Sequence, residues 1–158
     1  MTRHDAHIEI SHDPARLDRA MILNFLRGTH WAGDLTAEKL DTALRHSLAI
    51  GAYIDGQQAG FARVITDYAS FAYLSDVFVL PAWRGCGIGQ RLVQTAIDHP
   101  ELQQLRRFLL VSRDARPFYR QLGFVPLSRG EQYLELKTRT SHDRPRKLRA
   151  VWPFFKAA

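Results

Sequence analysis

One cysteine, Cys86, stands in a chain of 158 residues. A single thiol excludes an internal disulfide and any zinc site built from several cysteines. Long apolar runs are also missing: none approaches the ~20 residues that a membrane-spanning helix requires. The opening MTRHDAHIEI lacks the apolar stretch of a secretory signal. The seven histidines are scattered without ligand spacing, so no metal centre is expected. These absences predict a cytoplasmic protein with no membrane attachment. With 46% apolar and 24% charged residues, the composition is that of an ordinary globular chain. Its length predicts one domain with a sizeable core, over residues 1–137, followed by a basic tail, 138–158.

Acidic residues are outnumbered, giving a formal charge of +6. That balance raises the question of nucleic acid, but the location of the charge answers against it. Arg139, Arg144, Arg146, Lys147 and Arg149 crowd the tail, without the interleaved aromatics of a stacking platform. Such a run reads as a solvated end. The basic charge left in the body suits an anionic small ligand.

The hydrophobic pattern predicts alternating element types. Ile8 and Ile10 mark a short strand. Asp13-Pro14 has the form of a helix start, followed by Leu17, Met21, Leu23 and Phe25, and residues 28–34 read as a loop. Thr36 opens a second helix that runs to His46. Residues 49–55, 59–66 and 71–80 form an antiparallel three-strand meander, with a turn at Gly56-Gln57-Gln58. A helix is expected over 88–99, stopped by Pro100. Then come a buried strand at 106–111, a short helix at 115–122, a strand at 123–127, and an alternating segment, 133–137, expected to close the sheet. The fold class is α/β.

PAWRGCGIGQRL, residues 81–92, joins the meander to that helix. Gly85, Gly87 and Gly89 free the backbone for positive φ and close approach, and Arg84 brings a charge able to fork onto phosphate oxygens. Free N–H groups running into a helix N-terminus form an anion site. The spacing fits neither a Walker loop nor the dinucleotide fingerprint, which also needs a parallel βαβ context. Taken alone, the loop is equally a tight strand-to-helix turn.

Two motifs together say more. V-x-P-x-x-R-G-x-G-I-G, residues 79–89, resembles the acetyl-CoA signature of the GNAT family of N-acetyltransferases. A-R-P-F-Y-R-Q-L-G-F, residues 115–124, resembles the family's second motif. The resemblance covers residues 49–136 well, the N-terminal helices in outline, and the tail not at all. It implies a mixed, mainly antiparallel sheet flanked by helices, in which one parallel strand pair splays. The pantetheine arm of acetyl-CoA would fill the gap and pair with backbone groups of Phe78 and Val79. N–H groups of Arg84, Gly85, Cys86, Gly87, Ile88 and Gly89 would take the pyrophosphate. Ser112 and Asp114 would line the far wall, where the family often has Asn, and Phe118 would pack on the cofactor or in the core. GNAT proteins often form homodimers.

The same resemblance gives Tyr119 the part of general acid toward the leaving thiolate. The base has two readings. Asp76, on an apolar strand between Leu74 and Phe78, would be activated by burial; alternatively it pairs with Arg63 across the hairpin. Tyr73, Ser75 and a water chain to Asp67 are further candidates, since the family's usual strand Glu is lacking. Trp31, Tyr73 and Arg113 are expected at the acceptor mouth, with Tyr68 and Arg116 within reach, and arginines there would favour an acceptor carrying a carboxylate or phosphate. Cys86 reads as a loop residue, not an acyl carrier. The expected activity is direct acetyl transfer from acetyl-CoA to a small primary amine. The alternative is a GNAT-fold module that binds acyl-CoA for regulation without turnover.

Overall fold

The computed structural model describes residues 7–136. Five strands, β1 (Ile8–Ser11), β2 (Leu48–Ile54), β3 (Gln57–Thr66), β4 (Phe71–Val79) and β5 (Arg107–Leu110), form one sheet in sequential order. The first four pair antiparallel, and β4 with β5 is parallel. The helices are α1 (Arg19–Arg27), α2 (Ala37–Arg45), α3 (Ile88–Ile97) and α4 (Arg116–Gln121). The chain divides into two units, Met1–Phe124 and Val125–Ala158. All strands and α-helices among the described residues belong to the first.

Each face of the sheet is covered separately. Ile50, Ala52, Ala62, Val64, Ala72 and Leu74 pack with Ile88, Leu92, Val93 and Ala96 of α3. Burying a leucine such as Leu92 completely stabilises the fold by roughly 1.5–3 kcal/mol. Gly60 permits this approach: a Cβ there would lie 3.1 Å from Leu92 and from the Phe78 carbonyl. On the other face, Ala49, Phe61 and Phe78 meet Ile22 and Leu26 of α1 and Leu40 and Leu44 of α2. Phe78 stacks on Phe25 with ring centroids 3.9 Å apart.

Several expectations about boundaries are corrected by local chemistry. Asp13-Pro14 opens only a single 3-10 turn, Pro14–Arg16; Leu17 is extended and buried. Asp18 then caps α1 by accepting from the Met21 N–H, while its own N–H is held by Gln58 Oε1. The first hairpin turns at Asp55-Gly56, φ +49° and +78°, so β3 begins at Gln57; two positive φ values suit the right-handed twist of the strands.

The two C-terminal strands are absent from the described residues. At 123–127, Gly123 (φ +94°) and Phe124 instead terminate α4: their N–H groups bond to the carbonyls of Arg120 and Tyr119. This glycine-based helix stop uses the backbone groups that a strand would have offered to a neighbour. In the second unit, a 3-10 turn (Gly130–Gln132) is followed by irregular chain through residue 136. Leu134 there is 97% exposed, so the alternation at 133–137 has no buried apolar face to hold it in a sheet; Lys137 lies outside the described residues, as does the basic tail.

Candidate functional site

The site begins with a break in strand pairing. β4 and β5 run in register from Phe71 opposite Arg107 to Leu74 opposite Leu110. There β5 stops, while β4 continues through Val79. The edge of residues 75–79 away from β3 has no strand partner among the described residues. Backbone amides and carbonyls along such an edge can pair with an extended ligand.

At the end of β4 the glycine loop enters α3. Gly85 and Gly87 have φ of +80° and +78°, and beyond their own chain neighbours no described atom lies within 4 Å of a Cβ built on either. Gly87 is the N-cap residue of α3 and offers no side-chain cap, so the first N–H groups of the helix are left to a ligand or solvent. Arg84 is exposed, and its Nε donates to the Val79 carbonyl at 3.1 Å, tying the loop to the strand end. The Cys86 thiol lies 3.8 Å from the Arg84 carbonyl, and the Phe118 ring reaches the first turn of α3 beside Gly89 and Val79.

In the middle of β4 the chain bulges. Phe61 faces Phe78 and Arg63 faces Ser75, so three residues of β3 are matched by four of β4. Asp76 carries the irregularity at φ +53°. Such a bulge exchanges the faces of the residues that follow: Leu74 packs with the α3 cluster and Phe78 with the α1–α2 cluster. The apolar face expected around Asp76, between Leu74 and Phe78, therefore does not exist as one face. Asp76 instead accepts from Arg63 Nε at 2.7 Å through Oδ2 and from Trp31 Nε1 at 3.2 Å through Oδ1. Arg63 also donates from Nη1 to Ser47 Oγ at 3.1 Å. The ion pair is largely buried, with side chains 14% and 10% exposed.

A cavity of about 350 Å³ opens where the two strands part, lined by residues 73–77 of β4 and by 110–115 from the end of β5 onward, with His30, Trp31 and Tyr119. Among the sequence-derived candidates it brings together Trp31, Tyr73, Ser75, Asp76, Ser112, Arg113, Asp114 and Tyr119. Burial pushes the Tyr119 phenol up from its ordinary value, so it remains protonated and able to donate. The ring lies against Phe118 and Phe124. Ser112 Oγ accepts from the Ala115 N–H, starting α4. Both oxygens of Asp114 are bonded by Arg113 Nε, so this arginine arrives with its own counter-charge. Asp67, Tyr68 and Arg116 do not line the cavity.

With that geometry in view, the similarities to known proteins are specific. Residues 16–124 match the acetyltransferase (GNAT) family. The chain belongs to the GNAT acetyltransferases. A Gibberella zeae protein named as an acetyltransferase is 36% identical over 128 residues, covering 66% of this chain and 71% of its own. A crystal structure from Xanthomonas campestris, described as a GNAT-family acetyltransferase, is 43% identical with a TM-score of 0.81; the match covers 84% of this chain and 94% of that one. A Clostridium acetobutylicum acetyltransferase solved with acetyl-CoA shares the fold, at 16% identity and TM-score 0.60, over 84% and 96% of the two chains.

Two features of this GNAT site escaped the sequence reading. The bulge was visible as a break in alternation, since Ala72 and Leu74 are followed by Val77 and Val79 on the same α3-facing side. His30 lines the cavity although nothing in its sequence neighbourhood has metal-ligand spacing. Its signal was its place beside Trp31 in the loop before α2. Among the described residues no group of three or more His, Cys, Asp or Glu could hold a metal ion, and no helix is long and apolar enough to cross a membrane.

Proposed function

We propose that this GNAT protein transfers the acetyl group of acetyl-CoA directly to a small primary amine, in the cavity where β4 and β5 part. The observation that carries the reading is the parting itself: unpaired β4 backbone runs from the cavity to the glycine loop. An extended ligand with an amide-bearing arm and a diphosphate at one end matches those two features in order. Backbone groups of Phe78 and Val79 would hold the arm. N–H groups from Arg84 through Gly85, Cys86, Gly87, Ile88 and Gly89 would hold the diphosphate, aided by the dipole of α3, an effect of ~0.3–1 kcal/mol at an exposed terminus. Phe118 would pack along the arm, and Ser112 and Asp114 would face it from the β5 side.

The chemistry asks little of the protein beyond placement and protons. A lysine-like amine near pKa ~10.4 is mostly ammonium at neutral pH, which costs about 4–5 kcal/mol of available nucleophile. The thiolate that departs must be stabilised or protonated. Tyr119, lining the cavity with its proton retained, is assigned that donation. Asp76 is assigned a positioning part. A proton on it would leave the Arg63 guanidinium without its partner in a largely buried place, whereas as a carboxylate it holds the Trp31 indole by its N–H. Trp31, Tyr73 and the Arg113–Asp114 pair would then form the acceptor wall.

Calorimetric titration with CoA tests the binding half. Saturable one-to-one binding is the expected result. No heat and no thermal stabilisation with excess CoA would remove the reading.

A further inference from the structure

We propose that His30 accepts the proton of the incoming ammonium. The inference rests on the acetyl-transfer reading and adds to it the residue that prepares the nucleophile. The ionisable groups lining the cavity are His30, Tyr73, Asp76, Arg113, Asp114 and Tyr119. Asp76 has one oxygen on Arg63 and the other on Trp31. Asp114 has both oxygens on Arg113. Arginine has no proton-accepting site, and the hydroxyls of Tyr73 and Tyr119 are not basic enough to take a proton from an ammonium. Imidazole is the side chain suited to taking up and releasing a proton near neutrality. The contact of His30 is with the Trp31 ring, perpendicular to it at 5.0 Å between centroids; its nitrogens make no hydrogen bond to a described group.

The loop that carries it is held in place. Thr29 Oγ1 donates to the Leu26 carbonyl at 2.6 Å, Arg27 Nε to the Leu35 carbonyl at 2.8 Å, and Trp31 is tethered to Asp76. His30 is also exposed, so it can return its proton to water. The balance is complete. An ammonium gives one proton to His30, and the neutral amine attacks the thioester carbonyl carbon. The C–N bond forms and the C–S bond breaks. The nitrogen loses its second proton to solvent, and the departing sulfur gains one from Tyr119, which is reprotonated from solvent. The net products are the amide, CoA thiol and one proton.

Steady-state release of CoA thiol from wild type and His30→Gln tests this, between about pH 6 and pH 9, with tyramine, spermidine and lysine as basic amines and hydroxylamine as an acceptor already neutral at pH 7. Near pH 7 His30→Gln should lose ~10²–10⁴-fold in kcat/KM with whichever basic amine the wild type uses. The deficit should shrink as pH rises toward the amine's ~10.4. With hydroxylamine the loss should be at least tenfold smaller, and CoA affinity by calorimetry should be unchanged. An equal loss with hydroxylamine and basic amines at every pH, or no loss at all, overturns the proposal while wild-type turnover keeps acetyl transfer standing. A wild type that releases no thiol with any of the four overturns both.

Discussion

Asp76 combines three conditions that rarely coincide: a positive φ within a strand, a largely buried charge, and two donors from different elements. Asparagine tolerates that φ and can still accept from Trp31, so Asp76→Asn isolates the loss of the ion pair. Removing one partner of a buried pair leaves the other uncompensated, and the expected cost is about 3 kcal/mol in urea unfolding at neutral pH. Turnover should fall by the same factor at every pH; a deficit that grows as pH falls would restore Asp76 as the base. Asp67 is a contrasting carboxylate. The Ser70 hydroxyl and the N–H groups of Ser70, Ala69 and Phe71 hold its carboxyl well below the ordinary 3.8. A folded value below the unfolded one stabilises the protein above the ordinary carboxylate range, and that contribution is lost progressively as pH falls from that range through the lower folded value. The melting-temperature gap between wild type and Asp67→Asn should therefore be widest near neutrality and narrow below about pH 4. A gap that does not vary with pH would contradict this. The same bonds make Asp67 a turn-former and a poor relay for a substrate proton.

At the scale of elements, the two ends of β4 do different work. Its first half is locked to β5; its second half is released, and the glycine loop follows at once. Gly87→Val should affect both fold and ligand. A β-branched residue at φ +78° costs on the order of 1–3 kcal/mol in stability, and its side chain would fill the space open above the helix N-terminus. CoA affinity should drop at least tenfold in protein that still melts cooperatively; unchanged affinity would mean that the loop does not hold the diphosphate. β2 was legible as a continuous apolar run buried at every position, α3 because Ile88, Leu92, Val93 and Ala96 fall at helical spacing, and the glycine loop because its residues are unusual wherever they occur. The bulge was harder, since one inserted residue shifts every later side chain to the other face. The stop of α4 is hidden for a related reason: Gly123-Phe124 opens an apolar run, but its N–H groups are spent on closing the helix.

For the whole molecule, family membership was legible from two motifs because their glycines, arginine and tyrosine stand in the order and spacing of the family's motifs. The constellation around the acceptor was only partly so. The Arg63–Asp76 pair follows from hairpin pairing of β3 with β4, but Trp31 comes from the loop after α1, and no local pattern announces its hydrogen bond to Asp76. The distinction between an acetyltransferase and an acyl-CoA-binding module of the same fold rests on Tyr119, because binding needs no proton donor. Tyr119→Phe keeps the ring against Phe118 and Phe124 and removes only the hydroxyl. The decisive measurement is amine-dependent CoA thiol release by wild type and Tyr119→Phe, both saturated with acetyl-CoA. The account predicts saturable release by the wild type and a loss of ~10²–10⁴-fold in kcat for the variant at unchanged acetyl-CoA affinity. Equal turnover by the two, or tight CoA binding by a wild type that releases no thiol with any amine, would contradict it.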